Sequence, residues 1–442
     1  MRHVVGLWVL CTLGCLGSSA APRPPPPPDF SQTPGTAEAA TGFDGLSNGM
    51  VDEATHQRDL AAFDEVETIA SGLGPLFNAQ SCRACHDTPT AGGSSQVTEL
   101  RVGHVDSQGN FVTPDVPIAD GAAVVSGRTL INDRAICPSG AFPATEIQEH
   151  VPEGESIRAL RLSVSVLGDG YVEAVPDQTL IAVARGQCQQ LGSEVCGTVS
   201  AVPVLEAPGT FAAGRFGWKN QQATLLSFAA DAYLNEMGIT SRLLPNEPTS
   251  LCDTVADPED RVEADGLSDL DHFARFVRAT KAPSRDIRLA ATSEAKNGQV
   301  AFEAVGCGNC HLHTLVTAPA GTVLHGGAYL VPAALGSRAF HPYSDYLLHD
   351  VGTGDGIGLA VLESYGRRYK NLASHYQYGA SMIRTAPLWG LRTRSRLMHD
   401  GQSLTLREAI RRHGGEAAGS VTRFGQLSPD VQEQLLTFLR SL

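Results

Sequence analysis

The chain has 442 residues, of which 42% are hydrophobic and 18% charged, with a formal net charge of −14 at pH 7. That length allows two or three globular domains, and the acidic balance argues against nucleic acid or an anionic membrane as a partner. The surface is left with two uses, docking of a basic redox partner and plain solubility, of which many acidic proteins show only the second.

Met1–Ala20 has the layout of an export signal. Arg2 and His3 form a polar start, Val4–Leu16 is apolar, and Ser18-Ser19-Ala20 offers small residues for cleavage. Thr12-Leu13-Gly14-Cys15 is an imperfect lipobox, which makes Cys15 a candidate lipid anchor. No later stretch reaches the roughly 18 apolar residues of a membrane span. The expected location is therefore periplasmic or otherwise exported. Residues 21–42, rich in proline and small residues, read as a tether.

Ala54–Ile69 has helical spacing, with Leu60, Phe63, Val66 and Ile69 on one face. Gly72-Leu73-Gly74-Pro75 ends it, and the chain then reaches Cys82-Arg83-Ala84-Cys85-His86. The same word returns as Cys307-Gly308-Asn309-Cys310-His311. This C-x-x-C-H pattern is the attachment sequence for c-type haem. Two thiols on one turn can each bond a porphyrin vinyl group, and the next histidine can reach the iron. Zinc would want two such pairs close together, and a redox dithiol would follow a strand in a βαβ unit; neither pattern is present. Two covalently bound haem c groups are expected, on Cys82, Cys85, Cys307 and Cys310, with His86 and His311 as iron ligands.

From about 97 to 210 the pattern turns partly β. Short β-branched runs such as Val97–Val105, Leu160–Leu167 and Tyr171-Val172 alternate with turn residues, and Asp106-Ser107-Gln108-Gly109-Asn110 reads as a hairpin tip. Ala223–Met237 and Leu267–Ala279 read as helices, and Asp253–Asp265 as an acidic loop with a weak calcium signal. Of the ten cysteines, Cys137, Cys188, Cys196 and Cys252 lie outside both the signal and the motifs. They allow three pairings; the proximity of Cys188 and Cys196 favours joining those two and Cys137 to Cys252. Thr292–Val305 has the capped amphipathic pattern of a first cytochrome helix. Thr405-Leu406-Arg407-Glu408 is a capping box, and Ser428-Pro429-Asp430 opens a last helix with an apolar stripe.

The fold class this implies is mainly α: two cytochrome c-like haem domains with a mixed, partly β insertion. The N-terminal haem domain spans 43–291 and the C-terminal one 292–442.

Several runs resemble the dihaem oxidoreductase, thiol oxidoreductase-like family, which is related to the bacterial dihaem cytochrome c peroxidases. They are Gly72–Asn78, Gly214–Lys219, Met237–Ser241, Leu347–Asp350, Thr385–Leu391, His399-Asp400-Gly401 and His413–Ala417. The resemblance covers most of the mature chain and implies roles for particular residues. The electron-transfer haem would be held by His311 and by His413, which stands where the peroxidases carry methionine. His86 would be proximal at the peroxidatic haem, with His104 as a displaceable ligand. Trp218 would bridge the haems, and Glu236 would be the distal acid–base carboxylate. The peroxidase glutamine corresponds to Ser227 or Phe228 here. His399 and His349 are candidates for a haem propionate contact, with His349 also a candidate sixth ligand. His313, His325, His341 and His375 carry no spacing argument. The implied function is an exported dihaem c-type oxidoreductase that reduces peroxide with electrons from a redox donor protein. The alternatives are a non-enzymatic dihaem carrier and an oxidase of an organic or protein substrate.

Overall fold

The computed structural model describes residues 35–137, 143–191, 195–358 and 379–442. The export signal, Cys15, most of the tether and His375 lie outside the described residues. The end of the expected tether is docked. Ala37–Glu38 pairs in parallel with Arg338 and Ala339, and the Ala40 amide donates to the Tyr171 hydroxyl at 3.1 Å. An extended segment with free N–H and C=O groups has found a sheet edge in the C-terminal half.

The first helix, α1 (Glu53–Asp64), is shorter than the periodicity suggested. Glu65 turns extended, and the Glu67 amide donates to the Gln80 carbonyl at 2.7 Å, so Val66 faces solvent. Strand pairing holds the next segment. β1 (Thr98–Val105) lies between β3 (Leu130–Ile131) and β4 (Ile157–Leu162), and its far end forms a hairpin with β2 (Phe111–Val112) across the expected Asp106–Asn110 turn. The insertion is less β than expected, because Asp169–Glu173 and Asp177–Gln190 are helices. Gly168, left-handed at φ 81°, starts the first of them and buries Tyr171 and Val172 on a helix.

α2 (Leu225–Met237) is capped by Thr224, which accepts the Ser227 amide, and ends at the left-handed Gly238. α3 (Asp269–Ala279) packs against both α1 and α2. In the C-terminal half, α4 (Ser293–Ala304) crosses α6 (Pro429–Arg440), the last helix, with α5 (Leu406–Arg412) beside the crossing. Gly298 allows the approach: a Cβ there would lie 1.9 Å from the Gln434 carbonyl oxygen. Phe302 and Phe438 then meet edge to face at 5.2 Å, and Leu435, Leu436 and Leu439 are buried with them. Short strands also run through the C-terminal half, at Leu315–Val316, Arg338–Phe340, Leu348–Asp350 and Met382–Arg384. With 33% helix and 16% strand the architecture is mixed rather than mainly α. Two- and three-residue strands are too short for an alternation to show in sequence. Two disulfides, Cys137–Cys252 and Cys188–Cys196, are formed, while Cys82, Cys85, Cys307 and Cys310 are free. Among the described residues, no helix is long and apolar enough to cross a membrane.

Candidate functional site

The second C-x-x-C-H word follows α4 directly. Gly306, left-handed at φ 89°, breaks the helix, and Cys307–Asn309 forms a single tight turn. The His311 ring holds its Nδ1 2.9 Å from the Tyr343 carbonyl. A carbonyl only accepts, so Nδ1 carries the proton and Nε2 keeps its lone pair. His413, at the C-cap of α5, repeats this: its Nδ1 lies 2.8 Å from the Ala409 carbonyl. Burial holds both imidazoles neutral, His311 down to about 4 and His413 below its ordinary value. Both line one partly open cavity of about 200 Å³. Its lining is largely apolar, with Phe302, Leu391, Leu397, Ile410 and Leu435 in it, and includes Cys307 and Cys310. Arg384, Arg394 and Arg396 also face it. Arg384 has a buried Nε without a partner, and burial pulls Arg394 down to about 10.

A flat apolar group with two carboxylate arms fits this set: thiols to attach it, neutral imidazoles to ligate, arginines for the acids. The residues present therefore fit a haem. His349 is hydrogen-bonded through both ring nitrogens. Its Nδ1 lies 2.7 Å from Glu416 and its Nε2 3.0 Å from Asp345, so both nitrogens are committed. Burial opposes its charge, but Cys310 and Asp345 outweigh that and hold it well above the ordinary value. His399 is different. It lines the cavity, its buried Nδ1 has no partner, and it stands edge-on to Trp218 at 6.1 Å.

Trp218 is 8% exposed, and its indole N–H donates to the Leu162 carbonyl at 2.7 Å. Leu162, Ser163, Val164 and Ser165 form the cavity wall beside it. The same Val164 backbone touches the His86 ring. Trp218 therefore lines the second cavity beside a segment, Leu162–Ser165, that also meets His86.

At the first motif, Cys82–Ala84 is again a single tight turn, capped by Ser81. His86 has an unpartnered buried Nδ1, is lowered by burial, and lies 6.5 Å from Phe63 of α1. Free thiols and a neutral imidazole with an unpartnered Nδ1 fit a haem here too. Glu236, one residue from the end of α2, accepts from the Asn78 side-chain amide at 2.9 Å and shares a hydrogen bond with Glu99 of β1. Arg101 grips Glu99 with two bonds, 2.6 and 3.0 Å. Both glutamates act on Cys85, whose thiol is pushed up to about 12, first by burial and then by their charge. Burial, and then the Glu99 charge, raises Glu236; burial also opposes Glu99's charge, but Arg101 outweighs it and lowers Glu99. The pair holds one proton between them, on Glu236.

His104 is not brought to this site. Glu99 and Arg101 share one face of β1, and His104 falls on the other, five residues away or about 17 Å along a strand. Its Nδ1 lies 3.0 Å from both oxygens of Glu155, and its side chain is 37% exposed. Glu99 is the residue that sequence reasoning missed. The signal for it was the Glu99-x-Arg101 alternation, which puts an ion pair on one face of a strand.

Fold and sites together define a class, a protein built around two haems. The chain belongs to the family described as "Di-haem oxidoreductase, putative peroxidase", whose model matches residues 141–442. That span holds Trp218, Glu236, the second motif and His413, and leaves the first motif upstream. No curated protein matches. Among solved structures, the chain is similar to hydrazine synthase of Kuenenia stuttgartiensis, with 14% identity, a TM-score of 0.39 and coverage of 99% of this chain and 100% of that one. It is also similar to a variant of the dihaem peroxidase BthA of Burkholderia thailandensis, with 14% identity, a TM-score of 0.35 and coverage of 92% and 95%.

Proposed function

We propose that this chain is an exported dihaem c-type oxidoreductase that reduces peroxide, with electrons entering at the second motif and used at the first. The observation that carries the reading is the Glu236–Glu99 pair beside Cys85, a buried acid and base one hydrogen bond apart. Bound haem supplies one-electron storage and an iron at which the peroxide bond can be reduced. Cys82 and Cys85, and Cys307 and Cys310, are the thiols for covalent attachment. His86 would supply a ring nitrogen to a haem iron at the first motif, and His311 and His413 would supply two at the second. Glu99, deprotonated and fixed by Arg101, would take a proton from one peroxide oxygen and Glu236 would give one to the other, which leaves as water; the remaining oxygen would take two electrons from the reduced haems, the proton held on Glu99 and one from solvent to leave as a second water. Trp218, on the wall of the second cavity, would supply an aromatic ring for electron passage toward the first motif. His399 offers a neutral imidazole at the same wall.

Export is supported by Met1–Ala20 and by the two disulfides, which persist in oxidising compartments. The donor is a redox protein whose basic face suits the net charge of −14. Glu236→Gln, made in the haem-loaded protein and followed by stopped-flow oxidation of the reduced haems, should slow peroxide turnover about 10²–10⁴-fold with the haem spectrum kept. Unchanged turnover would remove Glu236 from the chemistry. A wild type whose haems ignore peroxide would be an electron carrier instead.

A further inference from the structure

The loop between α2 and α3 holds an acidic cluster that the redox reading does not use. Carboxylate oxygens of Glu247, Asp253 and Glu259 lie within 4.8 Å of one another. Glu259 is 7% exposed. One of its oxygens accepts from the Thr240 amide at 2.7 Å and from the Thr240 hydroxyl. The other, Oε1, is buried with no partner. Both carboxylate oxygens of Glu247 are likewise buried and unpartnered. The charges acting on Glu247 come from Asp253, Asp257 and Glu259, and all are negative. Arg242 and Arg261 share a small cavity with Asp257, but Arg242 is bound to Ser268 and Asp271, and Arg261 to the Ala256 carbonyl.

Buried carboxylate oxygens without a donor are costly, and a second carboxylate beside them makes them more so. A bound cation removes the cost. The donors are all oxygen, which selects a hard ion, and they sit on an irregular loop. Calcium accepts six to eight oxygens in loose geometry, whereas magnesium demands a tight octahedron.

We propose that Glu247, Asp253 and Glu259 bind a calcium ion that clamps this loop to the half of the molecule carrying the first motif. Both attachments of the loop are visible. Glu259 packs on Gly72, where a Cβ would lie 2.4 Å from the glutamate Cβ, and Gly72 opens the run that leads to Cys82. Cys252, next to Asp253, is bonded to Cys137 beyond β3. The ion is structural and stands apart from peroxide chemistry, so the proposal survives if the peroxidase reading fails.

The test is a calorimetric titration of the haem-loaded full chain, stripped with chelator, using calcium chloride and then magnesium chloride. Thermal unfolding is followed in parallel. One calcium per chain should bind, magnesium should bind at least tenfold more weakly, and the unfolding midpoint should climb with calcium concentration. Glu247→Gln and Glu259→Gln should each weaken calcium binding at least tenfold, with covalent haem and its absorption unchanged. Should either variant fail to take up haem, Asp253→Asn gives the same reading from a partly exposed position. No calcium heat and a fixed midpoint in the wild type would overturn the proposal, leaving protons to neutralise the cluster. Full-strength binding in all variants would overturn it too, by placing the ion elsewhere.

Discussion

Glu236 and Glu99 divide one proton because two buried carboxylates at hydrogen-bond distance cannot both ionise. Arg101 decides which one gives way, since its fork grips Glu99 alone. The acid is lost as pH rises through the raised value of Glu236, so peroxide turnover should fall on the alkaline side. Glu99→Gln removes the neighbouring charge that raises Glu236. The alkaline limb of kcat/KM should then move to lower pH at a reduced rate, which a pH profile of both proteins would read. His413 belongs to the same scale. Its Nδ1 is tied to the Ala409 carbonyl, and its side chain lines the cavity of His311. Methionine as an axial ligand favours ferrous iron. His413→Met should therefore raise the midpoint potential of one haem and leave the other, as a spectroscopic redox titration would show.

At the scale of elements, the α4–α6 crossing carries the second site. The cavity wall is built from Phe302 on one helix and Leu435 and Leu439 on the other, with Gly298 setting their separation. Phe438, fully buried against Phe302 and Tyr343, locks the crossing. Phe438→Ala should cost about 3–5 kcal/mol, measured by denaturant unfolding of the haem-loaded protein. These two helices were legible in the sequence because caps and a 3.6-residue stripe both announce them: Thr292 accepts the Ala295 amide and Ser428 the Val431 amide, as their positions suggested. α1 was legible only in part. Its pattern ran on to Ile69, but Glu67 is held by Gln80, a tertiary bond no local rule foresees.

At the scale of the whole molecule, the two sites share a wall. The segment after β4 lines the second cavity, and its Val164 backbone meets His86. Long-range ties hold this arrangement. Ala37–Glu38 reaches Arg338–Phe340, and Cys137 is bonded to Cys252 across 115 residues. Replacing both Cys137 and Cys252 with serine should cost about 2–5 kcal/mol of stability, because the unfolded chain regains the freedom of a long loop. Thermal unfolding in oxidising buffer would measure it. The Cys188–Cys196 bond closes a much shorter loop, so its loss should cost less.

What the sequence by itself determined is the chemistry that is local in the chain. The C-x-x-C-H words, the capped helices beside the second one, and the family runs around Trp218 and His413 are all contiguous, and contiguity is what a motif records. The tertiary structure alone decided the partners. Glu99 reaches Glu236 from a strand 137 positions earlier, Glu416 and Asp345 occupy both nitrogens of His349, and His104 faces away on the wrong side of β1. Period-2 alternation tells which side of a strand a residue takes but not which side meets the site, and burial, which moves these protons, exists only once distant segments have packed.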